Sequence, residues 1–261
     1  MVEAAKLLSP VSRRKAGEFL AEGPNNVRAA LAAGKALELF VSEAAAGEHG
    51  ELVAASHEAG VPTRLMDERA ARKLTDAVTP VGLVARCPLL DRPLAEVVGG
   101  LGPAPLAVAL VEPRDPGNLG TVLRAAHGFG ADAFLVLGDG VDPHNPKAAR
   151  SSAGSLFSVP LVRERDVPSA LAALRAAGLR LLATTADGEL RLDRAGTALE
   201  GPCAWLFGNE AHGLPESIAR EADCRIAVPM RPADGLEPPE SLNLAVAAGV
   251  CLYETARARV R

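Results

Sequence analysis

Aromatic side chains are scarce in this chain: one Trp, one Tyr and six Phe make up 3% of 261 residues. That scarcity excludes an aromatic platform on which bases could stack, and it leaves any core to Ala, Leu and Val. Net positive charge is missing too. The 28 Lys and Arg residues are outnumbered by 32 Asp and Glu, for a formal charge of -4. The chain is therefore not a globally basic nucleic-acid binder, and only a local basic patch stays open. The four cysteines, Cys87, Cys203, Cys224 and Cys251, form no C-x-x-C pair and fit no zinc-knuckle spacing, so no metal site is expected. They read as small apolar core residues in a reducing compartment. No apolar run approaches the roughly 20 residues that span a bilayer, and the N-terminus lacks the apolar core of a signal peptide. A soluble, cytoplasmic protein with no membrane partner is the expectation. Also absent are a G-x-S-x-G elbow ahead of a helix, an H-E-x-x-H pair and a G-x-x-x-x-G-K-[ST] phosphate loop.

What is present is enough apolar residue, 48%, for real cores, in a length that favours two domains. In the first half, strand patterns at 19–23, 37–41 and 81–85 alternate with helical patterns at 27–33, 51–59 and 67–73. Asp67 is placed to cap the last of these helices. Residues 91–105 carry Pro93, Gly99, Gly100, Gly102, Pro103 and Pro105, the strongest linker signal in the chain, which puts a boundary near 95–104. The second half reads strand–helix throughout: strands at 106–111, 133–137, 179–183, 204–207 and 225–228, helices at 118–129, 168–177 and 241–258. Such alternation predicts an α/β fold with a mostly parallel sheet and helices on both faces. In the last helix Leu242, Val246, Gly249, Val250 and Tyr253 mark one apolar face.

Polar residues gathered where strands end are where open α/β sheets build ligand sites. Asn118-Leu119-Gly120-Thr121-Val122-Leu123-Arg124 follows one strand. Its ordinary reading is a helix capped by Asn118 with a surface arginine. The functional reading has Arg124 leaning back toward the helix N-terminus and the ligand, partly enclosed by Val122, Leu123 and Ala125. Gly128-Phe129-Gly130-Ala131-Asp132-Ala133 scans as a dinucleotide fingerprint, but it closes a helix instead of opening one and reads as a C-cap. Lys147, Arg150, Ser151, Ser152 and Ser155 crowd into a segment that is either a polar loop with a short helix or a phosphate contact. Phe207-Gly208-Asn209-Glu210 leaves a strand through a glycine that lets a ligand approach the backbone. His212 beyond it is a candidate base or a solvated loop histidine. Val228-Pro229-Met230 ends the next strand, and Ser241-Leu242-Asn243 opens the last helix, with Ser241 as its N-cap.

In this order the Asn118–Arg124, Phe207–Glu210 and Val228–Asn243 stretches resemble motifs 1, 2 and 3 of the SpoU (TrmH-type) RNA 2′-O-ribose methyltransferases of the SPOUT superfamily, across residues 106–257. Phe19-Leu20-Ala21-Glu22-Gly23 and Leu74-Thr75-Asp76…Thr79-Pro80…Gly82-Leu83 resemble that family's ribosomal-protein-like α/β substrate-binding domain. The resemblance implies a substrate-binding domain at 1–98 and a methyltransferase domain at 105–261 whose sheet is tied in a deep trefoil knot, a rare exception to unknotted chains. It implies S-adenosyl-L-methionine held bent in that knot, lined by Gly208, Val228 and Leu242 with Phe207 and Met230 beside them, and a homodimer through the knotted domains. Arg124 matches the family's catalytic arginine. Asn118 would orient it, Glu210 would hold a helix end or an arginine across the dimer, and Ser241 and Asn243 would position the substrate or Arg124. Arg13, Arg14, Lys15, Lys147 and Arg150 are the expected RNA contacts. The loop between Met230 and Ser241, with Asp234, Glu237 and Glu240, is longer than the family pattern and alters the cofactor mouth. The folded N-terminal domain resembles the ribosomal-RNA branch more than the tRNA branch. The alternatives are an inactive RNA-binding protein of this fold, a tRNA enzyme, and a nicotinamide oxidoreductase, which the misplaced glycines argue against.

Overall fold

The computed structural model describes residues 1–260 apart from 235 and 238. It divides into two compact units, Met1–Leu90 with Asp142–Ser158, and Asp91–Val141 with Val159–Arg261.

The first unit is built on strands β1 (Glu18–Glu22), β2 (Glu38–Ser42), β3 (Thr63–Met66) and β4 (Leu83–Pro88), in the order β1-β4-β2-β3. The pairs flanking β4 are antiparallel and β2–β3 is parallel. Leu20, Phe40, Met66, Ala71, Leu74 and Val84 pack into one core. Asp67 caps the helix Glu68–Lys73 as expected, accepting from Ala70 N at 2.7 Å. The strand placed at 81–85 starts later, because Gly82 turns with φ +75° against Ser42 and leaves Val81 exposed. Asp142–Ser158 joins this unit through buried polar bonds. Arg13 donates to Asp142 from Nε (2.9 Å) and Nη2 (2.7 Å) and to the carbonyls of Leu7 and Leu8. Burial alone would raise the Asp142 pKa; bonds from His144 and Arg13 outweigh it and hold the carboxyl well below the usual range. Arg150 bonds to Glu22 at 3.0 Å and Asp76 at 2.5 Å, and Asn26 Oδ1 accepts from Gly154 N at 2.9 Å.

The second unit is a seven-stranded sheet of β5 (Leu106–Val111), β6 (Ala133–Leu137), β7 (Leu161–Glu164), β8 (Arg180–Thr184), β9 (Leu190–Arg191), β10 (Cys203–Phe207) and β11 (Cys224–Ala227), ordered β7-β6-β5-β10-β8-β11-β9. Every pairing is parallel. The central strands β5, β6 and β10 are buried at every residue, as unbroken apolar runs covered on both faces must be. From β5 the chain steps outward to β6 and β7, then returns on the other side to β8, with β10 later taking its place between β5 and β8. Strand order therefore reverses at β5, and a parallel sheet opens a crevice at the carboxyl ends of strands at such a point.

With few aromatics, the one Trp is placed with care. Trp205 is fully buried and donates from Nε1 to Thr255 Oγ1 at 2.9 Å, which in turn donates to Cys251 O at 2.9 Å. All four cysteines are free, and Cys87, Cys203 and Cys251 are buried. Burial pushes the Cys87 thiol up to about 12, in keeping with the apolar role read for it.

Several sequence expectations change here. The Gly- and Pro-rich stretch read as a linker carries the helix Leu94–Gly99, whose Val97 is buried in the second unit's core. The helix after β5 spans Pro116–Gly128 and is capped by Asp115, which accepts from Asn118 N at 2.8 Å, so Asn118 lies inside the first turn. The last helix spans Leu244–Arg259 with Asn243, not Ser241, as its cap. Its buried residues are Ala248, Cys251, Leu252 and Thr255. On the apolar face read from the sequence, Val246, Val250 and Tyr253 are 53%, 38% and 52% exposed. The helix is apolar nearly all round, so periodicity could not choose its inner face. Arg259 fastens the last turn, donating to the carbonyls of Ala104 (3.0 Å), Pro105 (3.1 Å) and Gly201 (2.7 Å).

Candidate active site

A cavity of about 590 Å³ opens at the carboxyl ends of β8, β10 and β11 in the second unit. Asn118, Phe207, Gly208, Glu210, Val228, Met230, Ser241, Leu242 and Asn243, all anticipated from sequence, line it. Its size falls within the range of about 300–1,000 Å³ typical of small-molecule sites.

One hydrogen-bonded chain joins the three motif regions. Glu210 accepts from Arg114 N (3.0 Å), Asp115 N (3.1 Å) and Asn118 Nδ2 (3.0 Å), occupying free donors around the start of the Pro116–Gly128 helix. These bonds set the Glu210 carboxylate against the helix start. Asn118 Oδ1 accepts from Asn243 Nδ2 at 3.1 Å, and Asn243 Oδ1 accepts from Ala245 N at 2.9 Å and Val246 N at 3.3 Å. Behind Glu210 the loop closes on itself, with Asn209 N donating to Gly213 O (3.2 Å) and Gly213 N to Asn209 O (3.0 Å). Asn209 Oδ1 takes the N–H groups of Ala211 and His212. Gly208 sits where this loop folds back, and a Cβ there would overlap the backbone of Gly213 and Leu214.

Burial of the Glu210 carboxylate would by itself raise its pKa. The bonds from Asn118 and from the Arg114 and Asp115 N–H groups outweigh that and hold it below its ordinary 4.5. A depressed carboxylate stabilises the folded chain above the unfolded-state pKa, and the contribution is lost as pH falls through the lower folded value. Glu210→Gln is therefore expected to flatten the loss of stability below about pH 4.5. Urea midpoints across the acid range test this, and identical pH slopes in the two proteins would contradict it.

Arg124 is placed differently from the expectation. It is exposed, does not line the cavity, and has no hydrogen-bond or ion-pair partner among the described residues. Six residues of helix turn it about 120° around the axis from Asn118 and carry it about 9 Å along. Of the expected RNA contacts, Arg13 is 2% exposed with its donors engaged by Asp142, Leu7 and Leu8, so it is a structural residue and not a surface contact. Arg150 is likewise committed to Glu22 and Asp76. Ser151 and Ser152 bond to helix carbonyls in their own segment. Arg14, Lys15 and Lys147 are exposed.

Sequence reasoning missed one wall: Thr184, Thr185, Ala186 and Asp187, at the end of β8, with Arg225 beside them. The polar-after-apolar switch at Ala183-Thr184-Thr185 was the available signal. The lining suits S-adenosylmethionine. Phe207, Val228 and Leu242 offer apolar surface, Asp187, Glu210 and Glu240 offer negative charge to a cation, and Thr185 Oγ1 is a buried hydroxyl without a partner among the described residues.

Residues 105–253 match the family model described as the SpoU rRNA Methylase family, and residues 20–93 match the one described as RNA 2′-O ribose methyltransferase substrate binding. The chain is 32% identical over 255 residues to the 23S rRNA (guanosine(2553)-2′-O)-methyltransferase RlmP of Bacillus subtilis, covering 95% of this chain and 92% of that one. Among solved structures, the SpoU methyltransferase AviRb of Streptomyces viridochromogenes with AdoMet superposes at a TM-score of 0.84 and 28% identity, covering 99% of this chain and 98% of that one. An AdoMet-bound rRNA methyltransferase from Sinorhizobium meliloti superposes at 0.82 and 28% identity, covering 98% and 93%. A seven-stranded parallel sheet with its three polar segments joined at one cavity, and family matches over both halves, make this chain a member of the SpoU family of RNA methyltransferases.

Proposed function

We propose that this chain is an S-adenosylmethionine-dependent RNA 2′-O-ribose methyltransferase acting on ribosomal RNA. The observation that carries the reading is the Glu210–Asn118–Asn243 chain, which brings all three motif regions to one cavity wall. The named rRNA enzymes among its relatives support ribosomal RNA as substrate.

Phe207, Gly208, Val228, Met230 and Leu242 would hold the cofactor, which supplies a methyl group already activated on a sulfonium. The protein's task is then alignment and charge. The Glu210–Asn118–Asn243 bonds fix the start of the Pro116–Gly128 helix, and Arg124 rides on that helix. A guanidinium keeps its proton at neutral pH, so Arg124 acts as an electrostatic stabiliser of the developing 2′-alkoxide and not as a base. Ser241 and Asn243 position the ribose. The first unit, Met1–Leu90 with Asp142–Ser158, serves as the RNA-binding domain and the second as the methyltransferase domain, with Arg14, Lys15 and Lys147 as phosphate contacts.

The C-terminal sheet is threaded as a trefoil knot, which a crystal structure would test. The exposed Val246, Val250 and Tyr253 face is the homodimer interface, supported by its apolar character, and the protein works in the cytoplasm. The decisive experiment maps 2′-O-methyls on cellular ribosomal RNA with and without this chain. One or a few nucleotides should lose methylation in its absence. Unchanged maps, with no calorimetric heat from S-adenosylmethionine, would leave an RNA-binding protein without activity.

A further inference from the structure

A second cavity, of about 430 Å³, lies in the second unit at the amino ends of β8, β10 and β11. The strands are parallel, so this is the sheet edge opposite the one that carries the motif residues. Arg175, Arg180, Thr197, Gly201 and Asp223 are among its lining residues, and none of them borders the methyl-donor cavity.

The charges around this cavity do not cancel. Arg175, in the last turn of the helix Val167–Ala176, donates from Nη1 to Asp223 Oδ1 at 3.1 Å and from Nη2 to the Glu221 carbonyl. Asp223 Oδ2 accepts from Leu181 N at 2.7 Å, so both oxygens of the acid in the lining are taken. Arg180, the first residue of β8, is exposed and has no hydrogen-bond or ion-pair partner among the described residues. Behind Gly201 stands Arg259. Its donors go to the carbonyls of Leu199, Ala104, Pro105 and Gly201 and to Cys203 Sγ at 3.4 Å, and to no carboxylate among the described residues. Carbonyls hold a guanidinium in place but leave its charge intact. Burial raises the pKa of the Cys203 thiol, and Arg259 and Arg180 both pull against that rise, so the two guanidiniums stand around one point. In a chain with a formal charge of -4 this is a local reversal of sign. Arginine forks match phosphate oxygens, and two such cations match the double charge of a phosphate group.

We propose that this cavity is a phosphate-binding site, in which Arg180 contacts the phosphate, Arg175 held by Asp223 forms a second arm, and Arg259 adds its charge from behind Gly201. The phosphate belongs to the RNA backbone. The five residues of β10 separate the two sheet edges by about 17 Å, the rise of about five stacked nucleotides, so one folded RNA can reach both. The RNA source rests on the proposed function; the phosphate chemistry rests on the cavity alone.

Two titrations of the full chain test this: pyrophosphate by calorimetry at low ionic strength, and deproteinised 23S ribosomal RNA by filter binding across a range of salt. Arg180→Gln should weaken pyrophosphate binding by about 3–10-fold, the worth of one hydrogen-bonded charge at a site open to solvent. Arg180→Lys should recover part of that loss. Arg72→Gln, at an exposed arginine of the first unit, should bind pyrophosphate like wild type. With RNA, Arg180→Gln should reduce the slope of log affinity against log salt by about 0.7–1, as one lost phosphate contact does. Affinity for S-adenosylmethionine and the thermal midpoint should hold, because Arg180 is exposed and lies on the other edge. The site is wrong if the wild-type chain does not bind pyrophosphate, if Arg180→Gln binds it equally well, or if Arg72→Gln loses as much. Weaker pyrophosphate binding with an unchanged RNA slope keeps the phosphate site, gives it to a free phosphorylated compound and overturns the RNA source. A wild-type chain that binds pyrophosphate but no RNA would remove the proposed function and leave the phosphate site standing.

Discussion

Arg124→Ala is expected to lower methyl transfer by about 10²–10³-fold, the usual loss when one preorganised charge donor is taken from a transition state. Cofactor affinity should change by less than about twofold, because the side chain touches no wall of the cavity, so the loss is in kcat and not in binding. Stability should hold, since Arg124 is exposed and has no partner among the described residues, and alanine is at least as good a helix former. Arg124→Lys keeps the charge but loses the planar fork, and should fall between the two. Single-turnover methylation with calorimetry on the same preparations separates these effects. Activity of Arg124→Ala near the wild-type level would sink its assignment. An exposed guanidinium outside the cavity also implies that the site is completed by something this protomer does not supply alone. A second copy docked on the Val246–Val250–Tyr253 face is the proposed candidate, and a monomer in sedimentation at working concentration would rule it out.

Gly208→Ala is expected to abolish most cofactor binding, by at least about tenfold, and to cost about 1–3 kcal/mol of stability, the range for forcing extra atoms into a packed site. The new methyl would meet the backbone of Gly213 and Leu214, not a flexible side chain. Relief requires the loop 209–213 to move, which breaks the Asn209–Gly213 pairing and carries Glu210 away from Arg114, Asp115 and Asn118. Gly47→Ala is the matching control. Gly47 sits in a helix with nothing near its would-be Cβ, so that change should be neutral or stabilising by up to about 1 kcal/mol. Urea denaturation and calorimetry measure both. Wild-type affinity and stability in Gly208→Ala would mean that the loop has room the structure does not contain.

The strands legible in sequence were those that tertiary burial makes unambiguous. β5, β6 and β10 are unbroken apolar runs buried at every residue. The strands that escaped detection, β3, β7 and β9, are all at sheet edges and span two to four residues. A short edge strand has one neighbour and needs no continuous apolar run, so little of it shows in composition. Helix starts shifted for a related reason. Asp115-Pro116 is a cap followed by a first-turn proline, a signal present in the sequence but outweighed in the reading by Asn118. At the last helix both Ser241 and Asn243 are good caps, and only the bond from Asn243 to Asn118 makes the second the better placed.

The arginines divide along the same line. Arg13 and Arg150 look as available as Arg14 in the sequence, yet each meets a carboxylate more than a hundred residues away, Asp142 for one and Glu22 for the other. Residue identity and local spacing were enough to determine the α/β class, the residues that gather at strand ends and the family they belong to, because those properties depend on near neighbours along the chain. Which charges are neutralised, which side of the final helix faces solvent, and that Thr185 borders the cavity were decided by tertiary structure alone, because each depends on a contact between segments that only folding brings together.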